Sequence, residues 1–362
     1  MPALFQNIPS GVGSRRKDLK LAPKELSRVL EKGARWAMEN GYSSSEDVAH
    51  TEAEGSIPGA DPELVSDRAL ERGLAQVGTL GSGNHFVEVG YVDEIYEEKV
   101  ADHLGLHKDQ MTVLIHTGSR GLGHQICDDY IKVMLKASRR YGIELPDPQL
   151  CCAPVGSQEG RNYLAAMACA ANFAFVNRQV ITHWVRESFE QVFQMGPRDL
   201  RLDLIYDVCH NMAKMETHDV EGKKKHLCIH RKGATRAFPP GHPEVPPLYQ
   251  PVGQPVLIPG DMGRCSYVLV GTEQGFSETF GSACHGAGRV MSRHQAKKAA
   301  KGRSIVRELE DQGIIVKGAS RATLVEEIPD AYKDVNDVVN VVHGAGIAKK
   351  VVRLKPIGVI KG

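Results

Sequence analysis

The sequence predicts an α+β fold: a single mixed α/β domain over residues 1–362, with ligand-type side chains at the ends of its strands. Three observations lead there. Segments with helical apolar spacing alternate with short apolar and β-branched runs. No linker-like tract, low-complexity stretch or internal repeat divides the chain. With 41% hydrophobic and 25% charged residues over 362 positions, the chain can bury a large core of an ordinary globular kind.

Taken in order, Pro23 opens a helical segment in which Leu26, Val29, Leu30 and Ala37 recur on one face, stopped near Gly41. Residues 86–89 and 112–115 read as strands. Ile126, Tyr130, Ile131, Met134 and Leu135 repeat the helical spacing up to Gly142. The mostly apolar stretch from about 157 to 196 reads as one or two buried helices. Residues 202–208, 227–229, 255–258 and 266–270 read as further strands, with a proline-rich loop at 239–251.

Bulk charge excludes little but directs attention. Lys+Arg 45 against Asp+Glu 44 leaves +1, so any polyanion site must come from local clustering. The first residues lack a basic region followed by an apolar one, and no uninterrupted apolar run reaches bilayer length, so no membrane partner is expected. The eight cysteines are dispersed and none forms a Cys-x-x-Cys pair, which argues against a disulfide scaffold and a zinc ribbon. A cytoplasmic location is the expectation.

Chemistry concentrates at strand ends. His85 begins one strand, His116 follows another and His210 ends a third. Singly, each also reads as a strand cap; together they read as a metal set, because imidazole suits Mn, Fe and Zn. Two loops, 78–83 and 118–123, share the pattern Gly-x-x-Gly-x-Gly and can turn backbone N–H groups toward a phosphate. Arg231, Lys232 and Arg236 place three cations in the run HRKGATR, suited to phosphate oxygens. There is no Gly-x-x-x-x-Gly-Lys-Ser/Thr and no Lys-x-Asp-Gly, so a phosphate-binding loop of that kind and a lysine nucleophile are both out. His285 stands instead among Gly281, Ala283, Gly286, Ala287 and Gly288, with room for a covalently attached group.

The motifs GTLGSGNHFVEV (78–89), HTGSRGLGH (116–124), DVCHNMAK (207–214), HRKGATRAFPPG (230–241), GDMGRCSYVLVGT (260–272), CHGAGR (284–289) and PIGVIKG (356–362) follow one another along nearly the whole chain. In this series the sequence resembles the RtcB family of tRNA-splicing RNA ligases. The resemblance implies a GTP- and Mn2+-dependent ligase. Such an enzyme joins RNA 2′,3′-cyclic phosphate or 3′-phosphate ends to 5′-hydroxyl ends through a histidine–GMP intermediate. It implies His285 as the nucleophile and His85, His116 and His210 as metal ligands. It implies nucleotide contacts at Asn84, His85, Phe86, Val87, Glu88, His210, Asn211 and Pro259. It extends them to Gly260, Asp261, Met262, Ser266, His285, Gly286, Ala287, Gly288, Tyr332 and Lys361. Arg231, Lys232 and Arg236 become RNA-phosphate contacts, and an activating protein is a further partner the resemblance leaves open. A second HGAG, at 343–346, lacks the following arginine.

One departure stands against this. The family pattern carries an upstream Gly-Phe-Asp-Ile-Asn-Cys-Gly-Val stretch whose Asp and Cys bind metal, the Cys bridging both ions. This sequence has no such stretch. The expectation is therefore an N-terminally truncated member with a weakened metal set. The alternative is a remnant that binds guanine nucleotide or RNA ends without joining them. A more distant one is a metal-dependent phosphoesterase.

Overall fold

The computed structural model describes residues 1–16 and 18–362. Its strands are β1 (Phe86–Ile95), β2 (Met111–His116), β3 (Asn211–Val220), β4 (Lys223–Lys232), β5 (Ala234–Arg236), β6 (Pro255–Ile258), β7 (Ser266–Gly271), β8 (Ser282–Cys284), β9 (Ile315–Gly318) and β10 (Ala348–Lys361). The main sheet runs β2-β1-β10-β7-β6, antiparallel throughout that order. β9 joins β10 in parallel. The expected α+β fold holds, with one difference at its centre: the long β10 has no counterpart among the strands expected from the sequence.

β10 matters because of what it forks. Residues 348–354 pair with β7, and residues 358–361 pair with β9, while β1 runs along the opposite edge. Phe86 faces Lys361 and Glu88 faces Val359. Side chains alternate along a strand. Phe86, Glu88, Val359 and Lys361 thus share one face, and Val87, Val89 and Ile360 turn to the other, where they pack with Leu4, Ile8 and Leu80.

The Gln158–Phe193 helix, a single 36-residue element, forms the spine of the helical layer. Its Phe173, Val176 and Val180 pack against Leu26, Leu30 and Trp36 from one side and Leu122 and Ile126 from another. By length and composition it could cross a membrane, but 78% of its most apolar window is buried in the fold. Asn172, Asn177, Arg178 and Gln179, all buried on it, have protein partners. It is a core helix.

Two expectations fail locally. The first helical segment breaks at Gly33 into Pro23–Lys32 and Ala34–Glu39. Gly33 has φ 57°, and a Cβ there would lie 2.0 Å from the Gly55 carbonyl oxygen, so only glycine fits. Residues 202–208 make no ladder beyond one bridge, Thr51 to Asp207. Three of their carbonyls are taken by side chains: Arg186 donates to Leu202, a His50 ring nitrogen meets Leu204, and the Tyr249 hydroxyl donates to Ile205. His210 accordingly precedes β3 rather than ending a strand.

Candidate active site

The long helix positions the site through two adjacent residues. Asn177 accepts from Thr79 N at 3.1 Å and donates to the Gly118 carbonyl at 3.1 Å, tying both glycine loops to one side chain. Arg178 donates to Asp207 at 2.5 Å, to the Thr117 carbonyl at 3.2 Å and to Cys209 Sγ at 3.6 Å. It thereby fixes the backbone next to both His116 and His210. Glu52, held near pKa 2 by Lys214 and Arg236 despite its burial, accepts from Cys209 N and completes the brace.

His85, His116 and His210 lie close together, and His285 stands beside them. The ring centroids of His85 and His116 are 6.0 Å apart, those of His116 and His210 5.1 Å, and those of His210 and His285 4.4 Å. His116 Nε2 lies 3.1 Å from His210 Nε2. Two nitrogens each about 2.1 Å from a shared ion would be about 3.0–3.4 Å apart, so this pair fits a cation. Burial drives each imidazole toward its neutral form, to about 3 for His85 and about 4 for His210, with His116 and His285 also lowered. Neutral rings keep the lone pairs that a metal or a phosphorus centre requires. Among the described residues, no three His, Cys, Asp or Glu side chains stand together at metal-ligand spacing.

His285 Nδ1 is buried without a partner, which leaves Nε2 as the reachable nitrogen. A Cβ on Gly233 would sit 3.2 Å from that Nε2, so the glycine keeps its approach open. Beyond His285, Ala287 N donates to the Pro259 carbonyl, Lys333 N donates to the Gly288 carbonyl, and Arg289 bridges to Tyr332. This short segment connects the histidines to a second, narrower cleft.

That cleft gathers Phe86, Glu88, Pro259, Gly260, Asp261, Met262, Ser266, Tyr332 and Lys361, with Val359 and Glu327. Glu88 accepts from Ser266 Oγ at 3.2 Å, and burial raises its carboxyl to about 7. Burial lowers Lys361 to about 8, opposed by Glu327 and Glu88. A buried acceptor and a buried cation therefore face one small space. Asp261 is committed to its own loop, accepting from Gly263 N, Arg264 N and the Arg264 guanidinium. Asn84, His85, His210, Asn211 and His285 line the larger cleft instead, of about 1970 Å³.

A family profile described as tRNA-splicing ligase RtcB matches residues 1–362. The chain belongs to the RtcB family. It is 56% identical over 359 residues to the tRNA-splicing ligase RtcB of Archaeoglobus fulgidus, an alignment that covers 99% of this chain and 74% of that one. It is 54% identical to the protein of the same name from Thermococcus kodakarensis and 52% identical to that from Methanococcus maripaludis, over 74% and 75% of their lengths and 99% of this chain.

Several sequence-based assignments need correction within this RtcB framework. Arg231 is buried, donating to both oxygens of Glu216 at 2.6 and 2.9 Å and to the Phe280 carbonyl. Arg236 is buried as well, bonded to Gln254 and Glu244. Both guanidiniums are consumed inside the fold, because an unpaired charge cannot be buried cheaply. Of the three cations only Lys232 is exposed, close enough to His285 to act on its protonation. Val87 points into the core on the far face of β1, away from the cleft. Residues the sequence reading missed include Glu327, Arg289 as a partner of the cleft residues Tyr332 and Glu327, and the Asn177–Arg178 brace.

Proposed function

We propose that this RtcB-family chain is a ligase of tRNA splicing or RNA repair that uses GTP and Mn2+ and passes through a histidine–GMP. One observation carries the reading. The segment 285–289 leads from an imidazole with a single open nitrogen to an arginine bridged to a cleft holding a carboxylate and an ammonium side by side. Guanine offers an oxygen acceptor beside N–H donors on one edge. Lys361 meets the oxygen, and Glu88, once ionised, accepts from the N–H groups; adenine reverses this pattern.

In the proposed chemistry, His285 Nε2 attacks the α-phosphorus of GTP, an N–P bond forms, and pyrophosphate leaves with the broken P–O bond. An oxygen of the RNA 3′-phosphate then displaces the imidazole, leaving GMP on the RNA end. The 5′-hydroxyl attacks the RNA phosphate, loses its proton and expels GMP. A 2′,3′-cyclic end is first opened by water to the 3′-phosphate. A divalent cation at His116 and His210, with His85 beside them, would neutralise charge on the transferring phosphoryl group. Lys232 supplies a second positive charge near His285. We place this activity in the cytoplasm, in keeping with eight unpaired cysteines.

A second reading, binding of nucleotide and RNA ends without joining, is favoured by the absence of a three-ligand metal set among the described residues. The two separate with GTP radiolabelled at the α- or the γ-phosphate. Ligation chemistry leaves acid-labile α-label on the protein, passes it to a 3′-phosphate RNA and releases it as GMP once a 5′-hydroxyl RNA is added, with no γ-label retained. Saturable binding with no covalent label would support the second reading.

A further inference from the structure

A buried carboxylate outside every recognised motif stands behind the nucleotide cleft. Glu327 follows the Arg321–Glu326 helix and is fully buried. Its Oε1 accepts from Arg289 at 3.0 Å, and its Oε2 accepts from the Tyr332 hydroxyl. Lys361 Nζ stands 3.8 Å from the same Oε2. Arg289 donates in addition to the Tyr332 hydroxyl at 3.2 Å and to the Glu326 carbonyl at 2.6 Å. Its guanidinium lies 5.0 Å from the centre of the Tyr332 ring.

One carboxylate thus joins two cleft side chains, Tyr332 and Lys361, to Arg289 beside the cleft, with the exposed Arg293 3.9 Å from its Oε1. Arg289, partly exposed, and Lys361, buried, carry like charges close enough to repel unless an anion lies between them. Glu327 is that anion. Its Oε2 also sets the tilt of the Tyr332 ring through the hydroxyl, and a ring so held offers a fixed flat face.

We infer that Glu327 is a positioning residue for the nucleotide, holding the Tyr332 ring and the Lys361 ammonium in the arrangement that distinguishes guanine from adenine. The inference rests on the reading of this cleft as a guanine nucleotide site.

The test compares GMP and AMP, which bind without reacting, by calorimetry on the full chain with MnCl2. The variants are Glu327→Gln, which keeps shape but not charge, and Glu327→Asp, which keeps charge. Glu327→Gln is expected to lower the GMP-over-AMP preference about tenfold, and Glu327→Asp to recover part of it. In a Lys361→Met background, Glu327→Gln should add little, because the two act as one unit.

A carboxylate that only supports the fold would weaken both nucleotides alike and add to the Lys361→Met loss; that result overturns the inference. So does a Glu327→Gln preference within about twofold of the parent. Should Glu327→Gln not fold, Tyr332→Phe and Glu327→Asp carry the comparison, each expected to lower the preference. If the parent chain binds neither nucleotide, the cleft reading itself fails and this inference with it.

Discussion

His116 and His210, 94 residues apart in sequence, present their Nε2 atoms to each other at 3.1 Å. Nothing local makes this contact. It depends on Arg178, which grips the Thr117 carbonyl with one nitrogen and Asp207 with another. The spacing of the proposed metal pair is therefore a property of the long helix as much as of the histidines.

The first prediction follows from that dependence. His116→Ala and His210→Ala should each reduce Mn2+ affinity by about 10-fold or more, with little loss of fold stability, because both rings line a cleft. Electron paramagnetic resonance titration of free Mn2+ reads the affinity directly. Unchanged affinity in both variants would remove this pair from the metal site.

Asn177→Ala should act on stability instead. It strands the Thr79 N–H and the Gly118 carbonyl in a buried setting, at a cost of about 2–4 kcal/mol. Urea denaturation measures it. A loss below about 0.5 kcal/mol would mean that the glycine loops hold their shape without the helix.

The basic run at 230–236 divides by burial, and the division can be measured. Arg231→Met leaves Glu216 buried without its main partner and should destabilise by about 3–5 kcal/mol. Lys232→Ala should leave stability within about 0.5 kcal/mol while slowing label transfer from GTP to His285. The reverse pattern would restore Arg231 as a phosphate contact and contradict its burial against Glu216.

Glu88 gives a pH signature with a defined sign. Burial raises its folded-state carboxyl to about 7, above the unfolded value of 4.5. The favourable contribution of its bound proton to folding is present below the unfolded value and lost as pH rises through about 7. In the proposed guanine site Glu88 must be ionised to accept from the base, so affinity for GMP should climb through about pH 7 and level off toward about 8, where Lys361 is half deprotonated. Glu88→Gln should flatten that climb and raise the melting temperature of the ligand-free chain at pH 8. A pH-independent affinity in the parent chain would take Glu88 out of base recognition.

Much of this site was legible in the sequence, and the reasons are local. Glycine loops next to histidines and an imidazole ringed by small residues are patterns of adjacent residues, and they mark where a backbone or ligand must come close. What escaped notice depends on distant pairing. Phe86 and Lys361 are register partners 275 positions apart, and no period in the sequence encodes that register. A basic run looks the same whether it is solvated or ion-paired, so the burial of Arg231 and Arg236 was invisible until Glu216 and Glu244 were placed beside them. Residues 202–208 have a strand's composition, but side chains rather than a neighbouring strand satisfy their carbonyls. Glu327 lies in an unremarkable LVEEIPDAY stretch, and only its partners Arg289, Tyr332 and Lys361, with Arg293 farther off, identify it.

In the proposed reaction His285 carries GMP. Mass spectrometry of the intact chain after incubation with GTP and MnCl2, followed by peptide mapping, tests it most directly. A single GMP-sized addition is expected, mapping to the peptide that contains 284–289 and lost in His285→Ala and after acid treatment. An addition at another residue, or one that persists in His285→Ala, would contradict it.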